Sequence, residues 1–224
     1  MNKLLILIAV ILISIQFSNA QTSAGSQTVG FNLGFGAGTS TESPGIHQAG
    51  MGSSFIERDH NFNFGPAYSY FIADNIDIGV ALNFTSITET NSPNDFGSPL
   101  KYHDYQATAI VYARKYFLLK NKFGIRTGPY ISYDKATTNF TYPSDENFND
   151  NNSNSHSINA GLKLEMVYYA SKKLGFSATL ANLQYTHTVS GGGNQLNQNS
   201  DSFSFNSGTS AIYISMFYTF GGKG

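Results

Sequence analysis

The 224-residue sequence carries 13 Lys and Arg against 14 Asp and Glu, a net charge of −1, with 12% charged and 14% aromatic residues. That balance excludes the electrostatic footprint of a nucleic-acid binder or of a receptor for acidic ligands. The absence of Cys excludes a disulfide framework, thiol chemistry and a lipid-modified N-terminal Cys. Past residue 20 no apolar run approaches the roughly 18 residues of a membrane helix, so a helical membrane protein is excluded too.

MNKLLILIAVILISIQFSNA (1–20) has a positive n-region at Lys3, an apolar h-region and a small-x-small site at Ser18-Asn19-Ala20. It reads as a secretory signal peptide, with residues 21–224 as one mature domain beginning near Gln21. No internal repeat or linker divides that domain.

Alternation then recurs along the chain. In 26–38, Val29, Phe31, Leu33 and Phe35 share one face while Thr28, Gly30, Asn32, Gly34 and Gly36 share the other. In 60–72, Phe62, Phe64, Tyr68 and Tyr70 stand opposite Asn61, Asn63, Gly65, Ala67 and Ser69. In 76–87, Ile76, Ile78, Val80, Leu82 and Phe84 stand opposite Asp77, Gly79, Ala81, Asn83 and Thr85. Residues 102–118 are strand-like with ambiguous faces. The small-residue face (Ala107, Ala109, Val111, Ala113) is taken as interior, which leaves Arg114 to snorkel at a membrane edge.

Residues 123–134 set Phe123, Ile125, Ile131 and Tyr133 against Gly124, Arg126, Gly128, Tyr130, Ser132 and Asp134, and 156–170 place Lys163 and Glu165 on the smaller, more polar face. In 174–189 the apolar set changes parity at about Leu180, which predicts a bulge. Pro66 and Pro129, in Gly-Pro steps inside strands, predict bends or bulges. AIYISMFYTF (211–220), extended back to about Asn206, completes about eight strands.

Tight connections at 73–75, 119–122 and 171–173 alternate with long links rich in Gly, Ser, Asn and Asp, among them GTSTESPGIHQAGMGSS, YPSDENFNDNNSNS and GGGNQLNQNSDSFS. Short periplasmic turns and long outward loops are the layout of a bacterial outer-membrane barrel. Polarity decides the orientation against a lipocalin-like alternative or a soluble β-sandwich. The smaller face would line a narrow lumen, and the larger, aromatic face would meet lipid, where a closed barrel leaves no backbone edge. Tyr68, Tyr70, Tyr116, Phe123, Tyr168, Tyr218 and Phe220 cluster by the short turns as an interfacial girdle.

GPAYSYFIADNIDIGVALNF, ARKYFLLKNKFGIRTGPYISY and the terminal YISMFYTF resemble the small outer-membrane β-barrel domain family of Gram-negative bacteria, the OmpA/OmpX-like or opacity-type barrels, over about residues 26–220. The resemblance implies an all-β, eight-stranded antiparallel up-and-down transmembrane β-barrel in the cell outer membrane. It implies as partners outer-membrane lipid and lipopolysaccharide, with periplasmic chaperones and the barrel-assembly machinery during biogenesis. That machinery would read the terminal aromatics Tyr218 and Phe220, although Gly221-Gly222-Lys223-Gly224 follow them here.

Arg126 and Glu165, with Asp77 and Lys163, are expected to form a charged network that blocks the lumen, because an unpaired charge is costly in a narrow interior. The five His (His47, His60, His103, His156, His187) fall at loops or outer strand ends, and Asp59-His60 and His103-Asp104 set carboxylates beside imidazoles. Without fixed spacing for a nucleophile, an acid or a ligand set, no catalytic, cofactor or metal residue is assigned. DENFNDNNSNS lacks the ordered register of a calcium loop. The expected function is a non-catalytic scaffold or surface-interaction protein with long extracellular loops. Its alternatives are an enzyme of the outer rim acting on lipid or peptide, and a narrow pore.

Overall fold

The computed structural model describes residues 22–42, 55–93, 100–141, 153–191, 198–207 and 211–221. The segment 1–20, His47, and 145–152 of the Asn/Asp-rich link lie outside the described residues. All described elements are strands: β1 (Ser26–Glu42), β2 (Phe55–Ala73), β3 (Ile76–Pro93), β4 (Leu100–Leu119), β5 (Phe123–Thr141), β6 (Ser153–Tyr169), β7 (Leu174–Gly191), β8 (Gln198–Ser207) and β9 (Ala211–Gly221).

Each strand from β1 to β7 pairs antiparallel with the next, and β9 pairs with both β1 and β7. Eight strands, β1 to β7 and β9, therefore close a ring. Closure removes the free edges that lipid would not tolerate. The strands run beyond the roughly 9 to 11 residues a membrane span needs, and the excess lies toward the long connections.

β8 stands outside the expected topology. Residues 198–204 fall in a link that the sequence reads as loop and Asn206 in the start of the last strand, yet together they form a separate strand that pairs with the outer half of β7, from Ala181↔Ser207 to Ser190↔Gln198. β9 takes the inner half, from Leu174↔Tyr218 to Ala178↔Ile214. One edge of β7 is thus shared by two successive strands.

The bulge foreseen near Leu180 is present. Glu165 pairs with Thr179 while Leu164 pairs with Ala181, so Leu180 is the extra residue and the faces of β7 exchange beyond it. At the Gly-Pro steps the ladder skips Gly65 and Pro66 against β3, and Gly128 and Pro129 against β4, with register kept on either side. A missing N–H interrupts the ladder without adding a residue.

The face assignment for β4 is corrected. Val111 is 62% exposed on the outer surface, whereas Tyr116 is 2% exposed inside. Arg114 points into the lumen, because Asp77 directly across the ladder supplies its counter-charge. Lys115, one position on, takes the exposed outer place instead. Tyr116 accordingly leaves the girdle, while Tyr68, Tyr70, Phe123, Tyr168 and Tyr218 are exposed on the outer surface and Phe220 is half-buried.

The short-turn end is tightly held. Asn75, Lys120 and Asn121 adopt positive φ in the turns, a conformation Asn tolerates better than most residues. Residues 22–25 tuck against this end, with Thr22 Oγ1 donating to Asn75 Oδ1 at 2.6 Å and Gly25 N–H donating to Phe71 O at 2.8 Å.

Candidate functional site

Two layers close the lumen near the short turns. The first is apolar: Phe71 from β2, Tyr116 from β4, Val167 and Tyr169 from β6, and Phe217 from β9 form one buried cluster. The Phe71 and Tyr116 rings lie 5.3 Å apart, and Tyr169 meets Phe217 edge-on at 5.4 Å. Gly175 pairs with Phe217, and any Cβ there would collide with the ring, so glycine lets Phe217 lie across the barrel. Burial of each such side chain contributes about 1.5–3 kcal/mol.

The second layer is ionic. Arg126 and Glu165 are direct partners across β5 and β6 and meet in a fork, Nε to Oε2 at 2.7 Å and Nη2 to Oε1 at 3.1 Å. Arg126 also donates to Ser177 Oγ at 2.7 Å and to the Tyr116 hydroxyl at 3.1 Å. That hydroxyl donates in turn to Asp77 Oδ2 at 3.0 Å. A second fork joins Arg114 to Asp77, Nε to Oδ1 at 3.0 Å and Nη2 to Oδ2 at 2.6 Å. Arg114 Nη1 stands 3.9 Å from Glu165 Oε2. Charge-assisted forks of this kind are the strong class of hydrogen bond, and each carboxylate here is nearly sealed from water.

Of the four residues expected to share a network, Asp77, Arg126 and Glu165 are brought together, with Arg114 and Tyr116 as the members that sequence reasoning missed. Lys163 is not ion-paired within 4 Å among the described residues. Its Nζ lies 5.2 Å from the centroid of the Tyr130 ring. The missed pair left one signal: Asp77, inward on β3, needs a cation from a neighbouring strand, and β4 carries one on each face.

Above the ionic layer the lumen widens into a cavity of about 550 Å³ lined by polar side chains from almost every strand. Asn32 Nδ2 donates to Asn83 Oδ1 at 3.2 Å and Ser215 Oγ donates to Asn32 Oδ1 at 2.6 Å. The Tyr130 hydroxyl lies 2.7 Å from Gln184 Oε1 and 3.1 Å from Asn182 Oδ1.

The rim does not make the pairs suggested by adjacent residues. Strand pleat sends Asp59 inward and its neighbour His60 outward, and it separates His103 from Asp104 likewise. His103 Nδ1 lies 3.2 Å from Thr88 Oγ1, His156 Nδ1 lies 2.8 Å from the Tyr133 hydroxyl, and His187 Nδ1 lies 2.8 Å from Asp201 Oδ1 on β8. Among the described residues no group of three or more His, Asp or Glu is placed to hold a metal ion.

A family model described as outer membrane protein beta-barrel domain matches residues 19–189. The chain belongs to this family. The outer-membrane barrel is similar in fold to OprG from Pseudomonas aeruginosa, at 14% identity over 88% of this chain and 97% of that chain, with a TM-score of 0.44. A major outer membrane protein from Thermus thermophilus is 12% identical over 87% of this chain and 99% of that chain, also at 0.44. AlkL in lipid bilayers is 12% identical over 92% and 94% of the two chains, at 0.32. A search of the curated proteins finds no match.

Proposed function

We propose that this outer-membrane barrel is a non-catalytic, non-conducting scaffold, exported with a cleaved signal peptide, whose outer loops meet the cell exterior. The carrying observation is the double closure at one end of the lumen, an aromatic cluster beneath two interlocked Arg-carboxylate forks. An ion crossing it would have to displace packed rings and break buried charge pairs, each costing several kcal/mol. On this reading the lipid contacts are outer-membrane lipid and lipopolysaccharide, and chaperones and the barrel-assembly machinery act during biogenesis. Reconstitution in planar bilayers and in solute-loaded liposomes tests it. No stepwise conductance and no solute flux are expected, and a steady ohmic conductance would overturn it.

A second reading, catalysis on lipid or peptide at the outer rim, is favoured by the His187–Asp201 contact, which leaves Nε2 of the imidazole free to act as a base. Turnover of lipid A or of a peptide by the purified barrel, lost in His187→Ala, would establish it.

A further inference from the structure

The outer part of the wall sorts its charges by face. Pleating turns Asp59, Glu89, Asp104 and Asp134 toward the lumen, and it turns Arg58, His60, His103, Lys135 and His156 outward. The outward carboxylate among the described residues of the same belt is Asp201, and it is held by His187. The outward cations and imidazoles stand where the apolar stripes end: Tyr105 is followed by His103, Tyr133 by Lys135 and Ile158 by His156. From Phe123 to Lys135 the strand climbs roughly 30 Å, at about 3.4 Å per residue and a tilt of about 40°, which is the thickness of a hydrocarbon core. Lys135 therefore stands at the headgroup level of the far leaflet.

A groove of about 330 Å³ opens beside it on the outer surface, with Phe62, Phe64, Phe84, Tyr105 and Ala107 in its lining and Lys135 at its upper end. Phe64, Phe84, Ala107 and Lys135 occupy one ladder row. Phe84 lies nearer along its strand to the short turn at Ile76 than Lys135 does to its own at Phe123, so this row rises from acyl depth to the interface. The small Ala107 makes the hollow, and the Phe62, Phe64 and Phe84 rings, 6.2 and 5.6 Å apart in sequence order, make its apolar side. Lys135 is exposed and takes part in none of the ion pairs among the described residues. His156 is next to it across the ladder, with its ring stacked on Tyr133 and Nδ1 2.8 Å from the Tyr133 hydroxyl. Where Nδ1 accepts from that hydroxyl, Nε2 carries the hydrogen and can donate.

We propose that this groove is a site for one phosphorylated lipid of the outer leaflet, with an acyl chain along Phe64, Phe84 and Ala107 and its phosphate on the Lys135 ammonium beside His156. The proposal rests on the reading that this wall faces outer-membrane lipid, and it adds a place and a headgroup chemistry. Charge complementarity selects the occupant, because the carboxylates that would compete for Lys135 are turned into the lumen. An acyl chain fits the groove, while a phosphate meets a cation at the depth where headgroups lie.

The chain contains no Trp, so Phe84→Trp places a single reporter in the groove. Ile214→Trp places one on β9, whose outward neighbours Leu33, Ala178, Ile212 and Met216 carry no charge. Each folded barrel is reconstituted in phosphatidylcholine vesicles that hold dibrominated phosphatidic acid or dibrominated phosphatidylcholine, and Trp quenching gives the relative binding constant beside the reporter. At Phe84→Trp phosphatidic acid is expected to bind about fivefold more tightly than phosphatidylcholine, the size of one lysine near an anionic membrane surface. Lys135→Gln in the same background should abolish the preference, and Ile214→Trp should show none. Heat-modifiable migration reports that each variant is folded. No preference at Phe84→Trp, a preference kept in Lys135→Gln, or an equal preference at Ile214→Trp would overturn the proposal while leaving a lipid-facing wall. Quenching at Ile214→Trp with none at Phe84→Trp would overturn it in favour of a second protein seated on the groove. No quenching at either reporter would overturn the membrane reading itself.

Discussion

Replacing Arg126 with Ala removes four hydrogen bonds at once, two to Glu165 and one each to Ser177 and the Tyr116 hydroxyl. What remains near Glu165 is the longer ion pair to Arg114 Nη1 at 3.9 Å, beyond hydrogen-bond range, so a buried carboxylate loses its hydrogen-bonded counter-charge. Breaking a buried pair by removing one partner costs about 3–5 kcal/mol. For a chain of this size about 1 kcal/mol moves the melting temperature by roughly 2–4 °C, so Arg126→Ala should melt about 6–20 °C lower. Removing both charges in Arg126→Leu with Glu165→Leu should recover most of that loss, because the desolvation penalty goes with the pair. The assay is thermal unfolding in detergent, followed by the shift from fast to slow gel migration. A single variant melting within about 2 °C of the parent, or a double variant as unstable as the single one, would refute the reasoning.

Three further outcomes follow from the same geometry. Phe217→Ala combined with Tyr169→Ala should lower stability by several kcal/mol, since large-to-small changes in a packed core cost about 3–5 kcal/mol each. In planar bilayers the same double variant is the one expected to admit current if the aromatic layer helps to seal the lumen; a barrel equally silent would assign closure to the ionic layer alone. Val111→Arg should destabilise the lipid-embedded barrel by about 2–4 kcal/mol, whereas Thr108→Arg, directed into the lumen, should cost much less. Equal costs would restore the opposite facing of β4. Deleting residues 222–224 should leave membrane insertion unchanged, because the paired wall ends at Ser26↔Gly221; loss of insertion in a cell-fractionation assay would make the tail part of the assembly signal.

The sequence legible at a glance was the outward one. Val29, Phe31, Leu33 and Phe35 on β1, or Ile78, Val80, Leu82 and Phe84 on β3, form unbroken stripes opposite glycine, threonine and asparagine, and all are exposed on the outer surface. Even the parity change at Leu180 was readable, since a single extra residue inverts every side chain beyond it. β4 was not readable, because both of its faces carry apolar residues and a cation. Which cation turns inward is decided by Asp77, a residue of the neighbouring strand and invisible to periodicity within the segment. Tyr116 failed for a related reason: an aromatic near a short turn reads equally well as girdle or as plug. β8 was hidden by composition, as QNSDSFSFNS is mostly turn-forming and only the alternation of Phe203 and Phe205 marks it as a strand. The Asp201 partner of His187 was lost with it.

The β1–β9 seam joins residues from opposite ends of the chain. The Thr28 and Thr219 hydroxyls lie 3.3 Å apart across 191 positions of sequence, while every other strand pairing in the ring joins neighbours in chain order or β7 to β9. Bringing such distant ends together costs about 5 kcal/mol in chain entropy, and long-range pairing of this kind is the slow part of folding. The hairpins can therefore zip locally, but the cylinder locks only once the last strand has arrived. A chain truncated before β9 would present to lipid the open edge of β1 and the inner part of the β7 edge, Leu174–Ala178, with their outward backbone groups unpaired. Arrival of the last strand is in this way checked by geometry: only a polypeptide that carries β9 can shut its own wall.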